Sequence, residues 1–244
     1  MTPEQIAARE KQLLGSPVRR FMQSVPGQML SATPVYSLPR EMLMQADHRV
    51  LEVGCGAGSR LLLFDQELRF QRGAVAGVEP SPRLAARAEA AFRRGARPLS
   101  AVLADPGALP FANGVFDVAF CDDLLRFLDV RGAQAALREI ARVLRPGSML
   151  LAWDLAPADG RLRWWQRLWL RGYGGRIASE KSLMSLAERS GFAFTREARL
   201  RPWLWPPVPR ASFVAGTLAP GWRREGDNLV PPEEEGGRQQ PEAE

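Results

Sequence analysis

The stretch that decides the fold is Arg49-Val50-Leu51-Glu52-Val53-Gly54-Cys55-Gly56-Ala57-Gly58-Ser59. A short apolar run with β-branched residues passes directly into a loop with glycine at every second position, and a helical pattern begins at Ser59. That order reads as a buried parallel strand delivering a tight turn to a ligand. Glycine at 54, 56 and 58 lets the main chain turn sharply and lets a bound molecule approach it. The spacing is G-x-G-x-G rather than G-x-G-x-x-G, because Ser59 and Arg60 follow Gly58. A glycine-rich turn alone is a weak signal, so the flanking sequence has to carry the reading.

Working outward, strand and helix patterns alternate. The strand at 50–53 leads to a helix over 59–70. A second strand, 74–79, leads to a helix over 82–94 with Ser81 as cap and Pro82 in the first turn. Strand 99–104 runs into the loop Asp105 to Asn113, and strand 115–121 leads to a helix over 131–145 that Pro146-Gly147 ends. Strand 148–154 closes the series. Such alternation predicts βαβ crossovers and a mostly parallel sheet covered on both faces. A further helix is expected at 179–190, then strands at 192–200 and 211–217 joined by the Pro/Trp loop 201–210, making seven strands in all.

Ligands of an open parallel sheet bind beyond the carboxyl ends of its strands, where strand order reverses. The glycine loop ends the first strand there. Glu79 ends the second, 21 residues after Gly58, where a carboxylate can accept from a ribose. Asp105 follows the third strand, and Asp122 and Asp123 follow the fourth. One acid at a strand end is commonplace; four positions converging on one crevice is a pattern.

Val50-Leu51-Glu52-Val53-Gly54-Cys55-Gly56-Ala57-Gly58, Gly77-Val78-Glu79-Pro80-Ser81 and Ala104-Asp105-Pro106-Gly107-Ala108-Leu109-Pro110-Phe111 together resemble the class I S-adenosylmethionine-dependent methyltransferases. Phe116-Asp117-Val118, Glu139-Ile140-Ala141-Arg142-Val143-Leu144-Arg145-Pro146-Gly147 and Ala187-Glu188-Arg189-Ser190-Gly191-Phe192 extend the resemblance in family order over about residues 45–217. The branch is the small-molecule, ubiquinone/menaquinone or type 11-like one. The resemblance implies a Rossmann-like, doubly wound, seven-stranded sheet with an antiparallel last strand and helices on both faces. It implies S-adenosyl-L-methionine as cofactor. Glu52, Gly54, Cys55, Gly56 and Gly58 would face the methionine part, Glu79 and Pro80 the ribose and ring, and Asp105 and Pro106 the adenine, with Asp122 alongside. For Leu109 and Phe111, adenine contact and core packing stay open. Asp117 reads as a residue that orients the fourth strand.

Methyl transfer from a sulfonium needs in-line approach more than acid–base machinery, and holding two reactants in near-attack geometry supplies roughly 7–11 kcal/mol. Asp122, Asp123 and Tyr36 are the candidate bases for a phenolic, enolic or doubly activated acceptor. Leu125-Arg126 stands where many relatives carry a histidine. Neither an amino-adenine motif nor a Pro-Cys pair appears. The expected reaction is methyl transfer to a small lipophilic acceptor of quinone, isoprenoid or phenol type. The alternatives are an RNA methyltransferase that uses the basic body, and an inactive cofactor-binding partner subunit.

Composition bounds the rest. The 244 residues are 45% hydrophobic and fit one α/β domain with additions. The expected division is a helical N-terminal cap over 1–48, a methyltransferase domain over 49–219 with an acceptor-side insertion at 155–178, and a disordered acidic tail over 220–244. Residues 3–14 form a helix capped by Thr2. Residues 231–244 hold five Glu and one Arg, so the body carries +10 of a net +6. Nearly all basic residues are Arg, a compositional bias, and no nucleic-acid partner is expected. Two cysteines and one histidine provide no metal cluster. No apolar run spans a bilayer, and a cytoplasmic protein is expected. Residues 161–176 set Leu162, Trp165, Leu168 and Trp169 against Arg163, Arg167 and Arg171. That arrangement fits either an amphipathic helix packed on the domain with its arginines in water or peripheral contact with a membrane surface. Nothing in the sequence fixes an oligomeric state.

Overall fold

In the computed structural model, seven strands lie in the order β3-β2-β1-β4-β5-β7-β6. The structure describes residues 1–30, 45, 47–68, 73–93, 100–155, 164, 175, 178–197, 210–225 and 228–230. The strands are β1 (Arg49–Val53), β2 (Ala74–Glu79), β3 (Ser100–Leu103), β4 (Phe116–Asp122), β5 (Leu144–Leu155), β6 (Phe194–Glu197) and β7 (Arg210–Gly216). The first five are mutually parallel, and β7 runs antiparallel to both β5 and β6. Since β1 sits between β2 and β4, the chain reverses its direction of winding at the glycine loop. That reversal opens a crevice there.

Helices cover both faces, as the continuous apolar strands require. On one face, α4 (Ser59–Leu68) and α5 (Pro82–Phe92) pack on Val50, Val118 and Phe120. Phe64 stacks on Phe120 with centroids 4.5 Å apart. On the other, α6 (Val130–Val143) buries Ala133, Ala136, Leu137, Ile140 and Val143, a helical stripe, beside Leu183 and Leu186 of α7 (Glu180–Arg189). Caps fix where the helices start: Ser81 accepts from the Leu84 amide and Asp129 from the Gly132 amide.

The N-terminal segment forms α1 (Pro3–Leu14), α2 (Pro17–Met22) and α3 (Val25–Leu30). Thr2 closes a capping box with Gln5 at the head of α1.

Three boundaries differ from expectation. Helix α6 stops at Val143, before Pro146-Gly147, because Leu144 already pairs with Phe116. The Pro-Gly pair falls inside β5 at a register shift, with Gly147 at φ +80°. The range 220–244, expected to be disordered, opens with a two-stranded antiparallel hairpin of β8 (Arg223–Glu225) and β9 (Asn228–Val230), where Arg223 bonds Glu225 at 2.7 Å. Helix 59–70 and strand 192–200 are described as Ser59–Leu68 and Phe194–Glu197. Loop 201–209 and most of 161–176 lie outside the described residues.

Candidate cofactor site

Gly54, Gly56 and Gly58 have φ of +85°, +59° and +79°. This left-handed run costs any L side chain energy but not glycine. The amides of Gly54 and Cys55 both donate to the Val78 carbonyl, at 2.7 and 3.1 Å, so the loop is tied to the end of β2. There the Glu79 carboxylate, wholly buried, accepts from the Gly56 amide at 2.8 Å and the Ser81 amide at 3.1 Å.

Glu52 is the second buried acid. Arg60, second residue of α4, brings Nε to 3.1 Å from Glu52 Oε1 but out of line for a hydrogen bond. Among the described residues neither Glu52 oxygen has a hydrogen-bond donor. Burial pushes its carboxyl up to about 7 despite the nearby Arg60 charge. A buried acceptor without a donor is a costly arrangement in a folded chain. A ligand ammonium would relieve it, and the methionine amino group of S-adenosylmethionine is such a donor. The residues present fit that cofactor.

Asp105, at the end of β3, is half-exposed. Its oxygens take the Gly107 amide at 2.8 Å and the amino group of Met1. Burial alone would raise the Asp105 carboxyl; these two donors outweigh it and hold the group below its usual range. Pro80 and Pro106 are buried beside Glu79 and Asp105.

Beyond β4 the two expected acids are already in ion pairs. Asp122 pairs with Arg60. Asp123, at φ +53°, meets the fork of Arg126 at 2.6 and 2.8 Å. A non-glycine residue held in that region is strained, a feature that clusters at functional sites. Asp154, at the end of β5, accepts the Arg126 amide at 2.9 Å and lies 3.3 Å from its Nε. The Arg126 guanidinium also covers the Phe127 ring at 4.3 Å.

The structure therefore brings Glu52, Gly54, Gly56, Gly58, Glu79, Pro80, Asp105, Pro106, Asp122 and Asp123 to adjacent strand ends. Cys55 contributes only main chain to the loop, since its thiol is buried in the core with Leu61. Leu109 and Phe111 join the core, Phe111 edge-on to Phe116 at 4.9 Å. Asp117 accepts the Arg49 amide at 2.8 Å and pairs with Arg145, so it orients strands away from the crevice. Tyr36 lies outside the described residues.

Three arginines that the expected site does not include anchor its acids. Arg60 and Arg126 show no pattern that marks them as ion-pair anchors. Arg9 does carry a signal: it is three residues after Ile6 and four before Leu13, on the apolar stripe of α1. Only 1% of it is exposed. It spans the crevice, bonding Glu79 Oε1 at 3.3 Å, Glu79 Oε2 at 3.2 Å, the Gly54 carbonyl at 2.8 Å and the Asp123 carbonyl.

A parallel sheet that reverses at a glycine loop, acids at successive strand ends and an antiparallel β7 define the class I S-adenosylmethionine-dependent methyltransferase fold. Comparison with known proteins agrees. Residues 50–147 match the family described as a methyltransferase domain. The O-methyltransferase resE of Aspergillus sclerotiorum is 35% identical over 112 residues, 45% of this chain and 40% of that protein. Among solved structures, the cyclase SpnF superposes with a TM-score of 0.62 at 20% identity, covering 76% of this chain and 80% of that one. The phosphoethanolamine N-methyltransferase 2 of Haemonchus contortus, in complex with S-adenosyl-L-methionine, superposes at 0.61 with 16% identity, covering 76% and 52%. The chain spans less than half the length of the curated relatives it matches. Residues 50–147 thus carry a methyltransferase domain, and the chain is similar to class I S-adenosylmethionine-dependent methyltransferases of the type 11-like kind.

Proposed function

We propose that the protein transfers a methyl group from S-adenosylmethionine to an oxygen of a small, lipophilic acceptor of phenol, quinol or enol type. The observation that carries this reading is Glu52: a buried carboxylate to which no described residue donates a hydrogen bond, beside a glycine loop, at the reversal point of the sheet. The bound cofactor supplies an electrophilic methyl on a sulfonium. The chain supplies position. Glu52 holds the amino group, Glu79 the ribose and Asp105 the adenine edge, with loop amides facing the methionine part.

On the acceptor side, Asp122 and Asp123 both spend lone pairs on guanidinium groups. An acceptor whose own O–H ionises readily suits such a site, because alignment then does most of the catalysis. The O-methyltransferase name of the Aspergillus relative supports oxygen as nucleophile. Lipophilicity is supported by Trp164, which is 77% exposed in a segment rich in tryptophan and arginine.

The test is transfer of labelled methyl from S-adenosylmethionine to a panel of lipophilic phenols and quinols, small polar amines, and bulk RNA. Label in the phenols, base-stable as an ether, is the expected result. Label in RNA or amines alone would replace the acceptor assignment. Cofactor binding without label in any acceptor would identify a partner subunit.

A further inference from the structure

Glu79 has no capacity left for a ribose while α1 is docked. A carboxylate offers about four lone-pair sites. Oε1 accepts Arg9 Nε and the Ser81 amide; Oε2 accepts Arg9 Nη2 and the Gly56 amide. All four are used. The same guanidinium reaches the Gly54 carbonyl and the Asp123 carbonyl, so it bridges the ends of β1, β2 and β4. Around it, a methyl on Gly54 would come 3.1 Å from Arg9 Nη2, and one on Gly56 would come 2.9 Å from Gln23 Oε1. The N-terminal helices thus lie directly on the loop that the cofactor needs.

We propose that α1 is an internal occupant of the cofactor crevice: Arg9 holds Glu79 in place of the ribose, and the cofactor binds only as Arg9 withdraws. The proposal rests on Glu79 being the ribose acceptor. Helix α1 is suited to leaving. Its Leu13 and Leu14 form a small apolar cluster with Leu84, separate from the two main clusters of the domain. Elements with few apolar contacts to the main core open at low cost. Because Arg9 also holds the Asp123 carbonyl, its withdrawal frees the acceptor side of the crevice. Cofactor entry thereby precedes acceptor entry. With α1 docked in most molecules, the apparent Kd for the cofactor is the intrinsic one divided by the fraction in which α1 is open.

Two measurements on the full chain test this. Hydrogen exchange of residues 3–14 is compared with and without saturating S-adenosylhomocysteine. Calorimetry then compares its binding to the wild type, Arg9→Gln and Arg9→Lys. Faster exchange in α1 with ligand is the expected result, together with binding about tenfold tighter in Arg9→Gln and near wild type in Arg9→Lys. Slower exchange in α1, or weaker binding in Arg9→Gln, would make the helix a cover and overturn the proposal while leaving the cofactor assignment standing. If neither wild type nor Arg9→Gln binds the nucleoside, the Glu79 assignment falls and the proposal falls with it. The exchange measurement needs only wild-type protein, so a variant that fails to fold does not block the test.

Discussion

The guanidinium of Arg9 lies 3.2 Å from the carboxylate of Glu79, 70 residues further along the chain, and both side chains are sealed from water. The two partners are not equivalent. Without Arg9, Glu79 keeps the Gly56 and Ser81 amides; without the carboxylate, Arg9 keeps the Gly54 and Asp123 carbonyls and the Phe127 ring but loses the carboxylate it is hydrogen-bonded to. Breaking a buried pair so that a charge is left uncompensated typically costs about 3–5 kcal/mol. Glu79→Ala is therefore expected to lower unfolding free energy by about that amount, and Arg9→Met by roughly 1–3 kcal/mol. Urea melts of the two variants check the order; equal losses would mean the pair is not the anchor of α1.

Glu52 makes stability depend on pH. Its folded carboxyl sits at about 7 against an ordinary 4.5, because burial outweighs Arg60. Between those values the folded chain binds more protons than the unfolded one, so unfolding free energy falls as pH rises from about 4.5 to 7. The full shift corresponds to about 3 kcal/mol. Glu52→Gln is expected to flatten that fall and to be the more stable protein at pH 8. Chemical melts at pH 5 and pH 8 decide it. A wild type that gains stability over this range would contradict the assignment.

Both cysteines are buried, a setting that disfavours a nucleophilic role. Burial drives both thiols up, Cys55 and Cys121 alike, and acidic neighbours add to the shift. The thiolate is the reactive form. A thiol-specific reagent at pH 8 is expected to label neither cysteine in the native protein and both in denaturant. Rapid labelling of Cys121 in the native state would reopen a covalent role.

Ile140, fully buried on α6, tests the packing that supports the sheet. Ile140→Ala is expected to cost about 2–5 kcal/mol. Urea denaturation followed by tryptophan fluorescence checks it, and a loss under 1 kcal/mol would mean that α6 does not anchor that face.

Much of the architecture was legible because it depends on local signals. Glycines at alternate positions, Ser-Pro at the head of a helix and β-branched runs of the right length each act over a few residues. The seven-stranded, mostly parallel sheet with an antiparallel last strand followed from the family resemblance those signals carried, and the structure adds the strand order. What stayed hidden depends on contacts between distant residues. The pairing of Leu144 with Phe116 moved a helix end by two residues, although Pro146-Gly147 reads as its stop. The short β8–β9 hairpin arises within a polar stretch whose composition suggests disorder. In the site, the acids could be found because they end strands, but their arginine partners could not. Arg60, Arg126 and Arg9 reach Glu52, Asp123 and Glu79 across 8, 3 and 70 residues respectively. Of the three, Arg9 alone carries a sequence signal of burial, its place on an apolar helix face.

The structure of the protein crystallised with S-adenosylhomocysteine tests the cofactor site most directly. Ribose hydroxyls are expected within hydrogen-bond distance of the Glu79 carboxylate, the amino group beside Glu52, the adenine edge at Asp105, and the Arg9 guanidinium withdrawn from Glu79. A nucleoside bound elsewhere, or a ribose that leaves Glu79 still paired with Arg9, would contradict this arrangement.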